Sequence, residues 1–180
     1  NYDIYHSSAG AGQYFTLTDS SNRSSGFAGD PNQHVIQCQN DYSTFAGDEY
    51  IAYCWHNVSG VQHFGMYYGN GSPNGKYVGL GFKPAILWIK RLDGSGDWWT
   101  YDGERDGYDK NPVAAFGNWR QRLNHNDGAG GAASGSSDGG IDILGNGFKI
   151  KNQYSGQNTD GGRYFYCAWA DTAGLYGLAR

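Results

Sequence analysis

The densest run of potentially reactive side chains in the chain is Asp102-Gly103-Glu104-Arg105-Asp106. On an extended strand alternate residues share a face, so the three carboxylates would line one groove. A pair of carboxylates at suitable spacing is what a sandwich-fold glycosidase uses as nucleophile and acid. Gly103 and Gly107 flank these acids and point instead to a turn, with Arg105 paired to a neighbour. Asp102, Glu104, Asp106 and Asp109, or Asp138 with Asp142, would also offer hard oxygen ligands to calcium. They lack the ordered spacing of a calcium loop, and incidental loop acids are the simpler reading. The five histidines, His6, His34, His56, His63 and His125, show no helical metal spacing and read as structural. Neither a nucleophile elbow nor a phosphate loop is present. The expectation is a protein without catalytic residues, cofactor or metal.

The aromatic residues are the better candidates for function. Trp98 and Trp99 are adjacent, so on a strand their rings face opposite sides. An outward ring with Tyr101, Tyr108 or Trp119 nearby would form a sugar-stacking platform or an interface anchor, since Trp and Tyr dominate interface hot spots. The alternative is that these rings cap the core.

The elements that must position these residues are strands. The 180 residues include 30 Gly, 15 Tyr, 8 Phe and 6 Trp, and helix formers are scarce. Short aromatic and β-branched runs between Gly, Asn, Asp and Ser clusters are the pattern of many strands joined by turns. The aromatic content excludes disorder. A net charge of −4 with scattered Lys and Arg excludes the basic stripe of a nucleic-acid partner. No apolar run is long enough for membrane insertion. Cys38, Cys54 and Cys167 are odd in number, so at least one is free or paired between chains. Cys54 and Cys167 lie in aromatic runs and read as inert core thiols. No CxxC pair supports zinc. The start at Asn1, without Met or a signal pattern, suggests a fragment or a processed product.

An internal repeat organises the chain. Tyr50, Trp55 and Gly60 match Tyr164, Trp169 and Gly174 at a constant offset of 114 residues. Each copy is a near-continuous apolar run, the pattern of a strand buried on both faces. A weaker echo relates residues 1–5 to residues 97–101. Residues 1–60 therefore read as the back part of a first β unit. Residues 61–180 read as a complete second unit, with a Gly/Ser-rich loop at 125–140. The two could be separate lobes or halves of one compact domain. Strands are predicted over 63–68, 77–82, 85–90, 97–102, 141–144, 148–151 and 164–169, with residues 85–90 as the central strand. Pro112 to Leu123 is read as a possible helix weakened by Gly117 and Asn118. The predicted class is all-β: an antiparallel β-sandwich or jelly roll with two related repeat units.

The second unit also carries an ordered set of short motifs. They are Gly65-x-Tyr67-x-Gly69-Asn70-Gly71-Ser72, Gly81-Phe82-Lys83-Pro84-Ala85, Ile89-Lys90-Arg91, Gly96-Asp97-Trp98, Leu144-x-x-Gly147-Phe148-Lys149 and Tyr164-x-Tyr166-x-Ala168-x-Ala170. In this order they resemble an often tandemly repeated domain of tailed-phage virion structural proteins, of the tail-fibre-like or decoration kind. The loop at 125–140 and the closing residues 172–176 depart from the usual pattern. The resemblance implies a non-enzymatic protein on the virion surface, in a tail fibre, receptor-binding part or capsid decoration. Its implied partners are other virion proteins, copies of itself and a host surface glycan. A lectin-like carbohydrate-binding sandwich is the alternative.

Overall fold

The computed structural model describes residues 2–21, 24–25, 49–103, 120–124 and 140–170. The fold is an all-β antiparallel sandwich. Its central sheet has the order β4-β11-β6-β7-β8, formed by Gln62–Tyr68 (β4), Arg163–Ala170 (β11), Pro84–Arg91 (β6), Trp99–Asp102 (β7) and Arg120–Arg122 (β8). A second sheet joins Tyr77–Gly79 (β5), Gly147–Ile150 (β10) and Ile141–Leu144 (β9) in the order β5-β10-β9. A third joins Asp3–Tyr5 (β1), Gln13–Thr16 (β2) and Ser24–Ser25 (β3) in that order.

The strands arise where short apolar runs meet turn residues. β6 is the middle strand of its sheet, as its Ile-Leu-Trp-Ile run predicts. Pro84 begins it, where no ladder donor is needed, and the register with β11 shifts at Trp169/Ala170 beside it. Residues 120–122 form a strand where the sequence suggested the end of a helix. They pair with β7, Trp99 opposite Arg122, so tertiary pairing overrides local propensity there. The remainder of that segment and the loop at 125–139 lie outside the described residues.

β11 sorts its side chains between two cores. Tyr164, Tyr166 and Ala168 join Leu87 and Ile89 of β6, Trp99 and Tyr101 of β7 and Tyr67 of β4 in the larger core. Val78, Ile141, Phe148 and Ile150 of the second sheet cover this face. Phe165 and Cys167 point the other way, with Leu92 and Trp98, and meet Ala9 and Phe15 beneath the third sheet. Alternation along each strand thus makes the central sheet the middle of three layers. The two stretches either side of residue 60 share this second core.

Polar contacts hold the third sheet in place. Trp98 Nε1 donates to the Thr16 carbonyl at 3.1 Å, and Arg163 Nη2 donates to the Ser8 carbonyl at 2.8 Å. Lys90 is fully buried and donates from Nζ to the carbonyls of Ser21 (2.9 Å) and Gly96 (2.6 Å). Its ammonium lies 5.9 Å from the centre of a Trp98 ring. Burial lowers its pKa from 10.5 to about 8, against the opposing pull of Asp19 and Asp97.

At one end of the sandwich a short helix, Ser155–Asn158 (α1), is plugged into the larger core by buried amides. Gln157 donates from Nε2 to the Tyr101 hydroxyl and accepts from Asn152 Nδ2 at 2.7 Å. Asn158 Nδ2 donates to the carbonyls of Ser72 (2.8 Å) and Asn152 (2.6 Å). The Asn70 N–H donates to Asn158 Oδ1 at 2.9 Å. Tyr164 donates from its hydroxyl to the Ser155 carbonyl at 2.7 Å and accepts from the Thr159 N–H at 2.8 Å.

Close backbone approach explains one motif glycine. A Cβ on Gly147 would run into the Val78 carbonyl of the paired strand, whereas one on Gly145 would meet open space. Gly147→Ala should therefore destabilise the fold by about 2 kcal/mol, and Gly145→Ala should shift it by less than about 0.5 kcal/mol. Denaturant midpoints of the two variants check this.

Lys90 makes a second prediction. The folded protein releases this proton near pH 8, while the unfolded chain holds it to about 10.5, so between those values the unfolded state binds more protons. Stability should therefore rise with pH, by about 2 kcal/mol between pH 8 and 10, and lose no further ground below pH 8 on this account. Above pH 10 buried Tyr166, its pKa raised to about 12 by burial, opposes the trend. Urea denaturation across this range, in wild type and in Lys90→Met, should show a rise that the variant lacks.

Candidate functional site

Burial removes three of the expected contact residues from the surface. Trp98 and Tyr101 are completely buried and Trp99 is 6% exposed. The two Trp rings do face opposite sides, but both sides are covered by a sheet. Trp98 meets Phe15 and Phe165 edge-on, with centroids 6.3 Å away in each case. Trp99 meets Tyr154 edge-on at 5.7 Å. Tyr108 and Trp119 lie outside the described residues.

The reactive candidates divide in the same way. Asp102 sits on β7 opposite Ile86 of β6, while Glu104, Arg105, Asp106 and Asp109 lie outside the described residues. Asp142 pairs with Lys151 at 3.8 Å. His6 accepts from the Ser8 N–H at 3.1 Å and packs its ring on Phe165, and burial lowers its pKa. His63 Nδ1 is hydrogen-bonded with the Tyr166 hydroxyl at 2.9 Å, and the two rings stack. His56 Nδ1 lies 3.0 Å from the Asn57 carbonyl. His34, His125, Asp138 and Cys38 lie outside the described residues. Among the described residues no group of three or more His, Cys, Asp or Glu is placed to hold a metal. Lys90, a buried lysine of lowered pKa, has the electrostatics of a reactive amine. Its two carbonyl partners identify it as a structural tie.

The surface feature that stands out is the run Tyr50-Ile51-Ala52-Tyr53-Cys54-Trp55. Every residue of it is exposed: Tyr50 52%, Ile51 80%, Tyr53 70% and Trp55 58%, with Ala52 and Cys54 also open. The Tyr53 and Trp55 rings stack, with centroids 6.1 Å apart and planes 21° from parallel. This corrects the expectation of a buried strand here. The matching run in β11 is buried and Cys167 is the core thiol anticipated, its pKa pushed well up by burial. Cys54 is exposed instead. Composition could not have separated the two runs, because their apolar patterns are alike. What differs is that β11 has a strand on each side.

The exposed run leads directly into β4. A turn with Gly60 at φ 75° brings Val58 opposite Gln62. The Val58 N–H donates to the Gln62 carbonyl at 2.9 Å and the Gln62 N–H to the Val58 carbonyl at 3.0 Å. The ladder then stops. Asn57 Oδ1 accepts from the Phe64 N–H at 2.7 Å, and Gln62 Nε2 donates to the His56 carbonyl at 2.8 Å. The pairing that would have continued into a strand is thus replaced by side chains, and the aromatic run that precedes it stays exposed on the surface.

No curated protein and no solved structure matches the chain. One family model, a domain of unknown function (DUF7483), matches residues 1–173. With nearly its whole length aligned to that model, the chain belongs to the DUF7483 family.

Proposed function

We propose that the chain is a non-enzymatic structural component of a phage particle, displayed on the virion surface in a tail fibre, receptor-binding part or capsid decoration. In this reading Tyr50–Trp55 is its contact surface. The observation that carries the proposal is the stacked, exposed Tyr53 and Trp55 pair on an otherwise well-packed sandwich. Exposed large apolar residues in a contiguous run mark interaction sites, and Trp and Tyr are the residues that anchor them.

The residues behind the phage-domain resemblance support a structural role. Gly69, Gly147, Phe148, Tyr164, Tyr166 and Ala168 are buried, and they serve as turn, close-approach and core positions. A family likeness built on such residues is a likeness of scaffold. The reacting groups of an enzyme would instead be expected to converge in a cleft.

The Tyr53 and Trp55 rings also favour a second reading, a carbohydrate-binding module in which a sugar stacks on the exposed pair. Antibodies against the chain, used for immunogold labelling of particles from producing cultures, separate the two. Labelled tails support host recognition and labelled capsids support decoration. Label confined to non-viral fractions overturns the virion proposal. In the carbohydrate reading, saturable polysaccharide binding should fall at least about 10-fold in Trp55→Ala, with thermal stability unchanged.

A further inference from the structure

We propose that residues 50–56 form an added strand on the β4 edge of a second copy of this chain, exchanged reciprocally so that two protomers pair. The inference rests on reading Tyr50–Trp55 as the contact surface, and it names that surface's partner.

Among the described residues, the two edges of the central sheet differ. β8 is three residues long and carries Arg120 and Arg122, the short, charged kind of edge that resists further pairing. β4 is seven residues long and carries no Asp, Glu, Lys or Arg. Gln62 directs its N–H and C=O toward Val58 and away from β11, so by alternation Phe64, Met66 and Tyr68 direct theirs the same way. No further strand lies on that side among the described residues. Tyr68 is itself 56% exposed there.

The exposed run fits this edge. It repeats the pattern of β11, and β11 is the strand that pairs with β4 on its other side. Continuing the antiparallel count from Val58 opposite Gln62 sets His56 against Phe64, Cys54 against Met66 and Ala52 against Tyr68. Trp55 then falls opposite Gly65, over which the Tyr166 ring of β11 already lies, so that the two rings would meet across it, and Ile51 falls opposite Gly69, whose face is closed by the Thr159 carbonyl. Tyr53 faces Tyr67. Within one chain Asn57 occupies the Phe64 N–H and ends this ladder. Opening the Val58–Gln62 turn as a hinge frees both groups, and two copies exchanging the segment cover each other's exposed rings in a two-fold arrangement.

Sedimentation of the full chain tests this. Wild type should be a dimer at micromolar concentration. Ala52→Pro, which removes a ladder donor from an exposed segment, should weaken the dimer about 100-fold while leaving the melting temperature unchanged at dilutions where both proteins are monomers. Trp55→Ser should weaken it too, without touching the backbone. The Met66 amide should exchange slowly with solvent in the dimer and fast in the diluted monomer. A wild-type monomer at high concentration overturns the exchange, as does a dimer indifferent to both variants. So does a Met66 amide protected equally in the monomer, which would mean closure within one chain. A monomer that still labels virions or binds polysaccharide leaves the contact-surface reading standing while the exchange falls.

Discussion

Everything in this fold is arranged around a strand with no wet face. From Tyr164 to Ala168 β11 is buried at every position, three residues facing one core and two the other. A one-residue slip would exchange the two sets and put Tyr where Phe and Cys pack, so burial on both sides locks the register. That lock propagates. β4 and β6 pair with β11 over seven registered positions each, and β7 is placed by β6. The flanking sheets then find two apolar faces of fixed composition.

The same strand sets the polar end of the sandwich. Tyr164 stacks on Tyr67 with centroids 5.1 Å apart, and the two hydroxyls reach the carbonyls of Ser155 and Gln157. Burial and the neighbouring tyrosines push the Tyr67 hydroxyl well above its ordinary pKa, so it remains a neutral donor. Asn152, Gln157 and Asn158 complete the network with almost no exposure. Buried amides are costly unless satisfied. These three find main-chain and side-chain partners, which is how a Gly- and Asn-rich connection with Tyr154 as its one aromatic ring can close a core.

Much of this was legible beforehand, for a physical reason. Ile141–Leu144 was predicted to the residue, and the central role of residues 85–90 followed from their unbroken apolar run. Period and turn residues are local signals, and they suffice where strand and neighbours agree. The candidate contact site was not legible. Strand alternation tells that Trp98 and Trp99 face opposite sides, but exposure depends on whether a second layer exists. Trp98 is covered by the layer of residues 3–16, far away in the chain, and Trp99 by the sheet of residues 77–79 and 141–150. β8 is not legible because its strand state is imposed by β7, and Arg-Gln-Arg has no strand signature of its own.

The two copies of the aromatic run show how little a strand is decided by its own residues. Residues 164–169 and 50–55 share an apolar pattern, yet among the described residues one is the best-buried strand and the other forms no strand. Strand propensity measures fit to a pleated, half-buried surface, and that surface exists only where neighbours supply it. β11 has β4 and β6. Among the described residues no strand lies beside the segment at 50–55, and just after it the Asn57 side chain has already taken the Phe64 N–H of β4. A short polar side chain can win that competition because it satisfies the donor without ordering a further strand. The advantage reverses once a second protomer contributes its own aromatic segment, since the rings of both copies are then removed from water together. Asn57 is thus placed to keep the isolated chain from completing a sheet whose remaining strand another copy can provide.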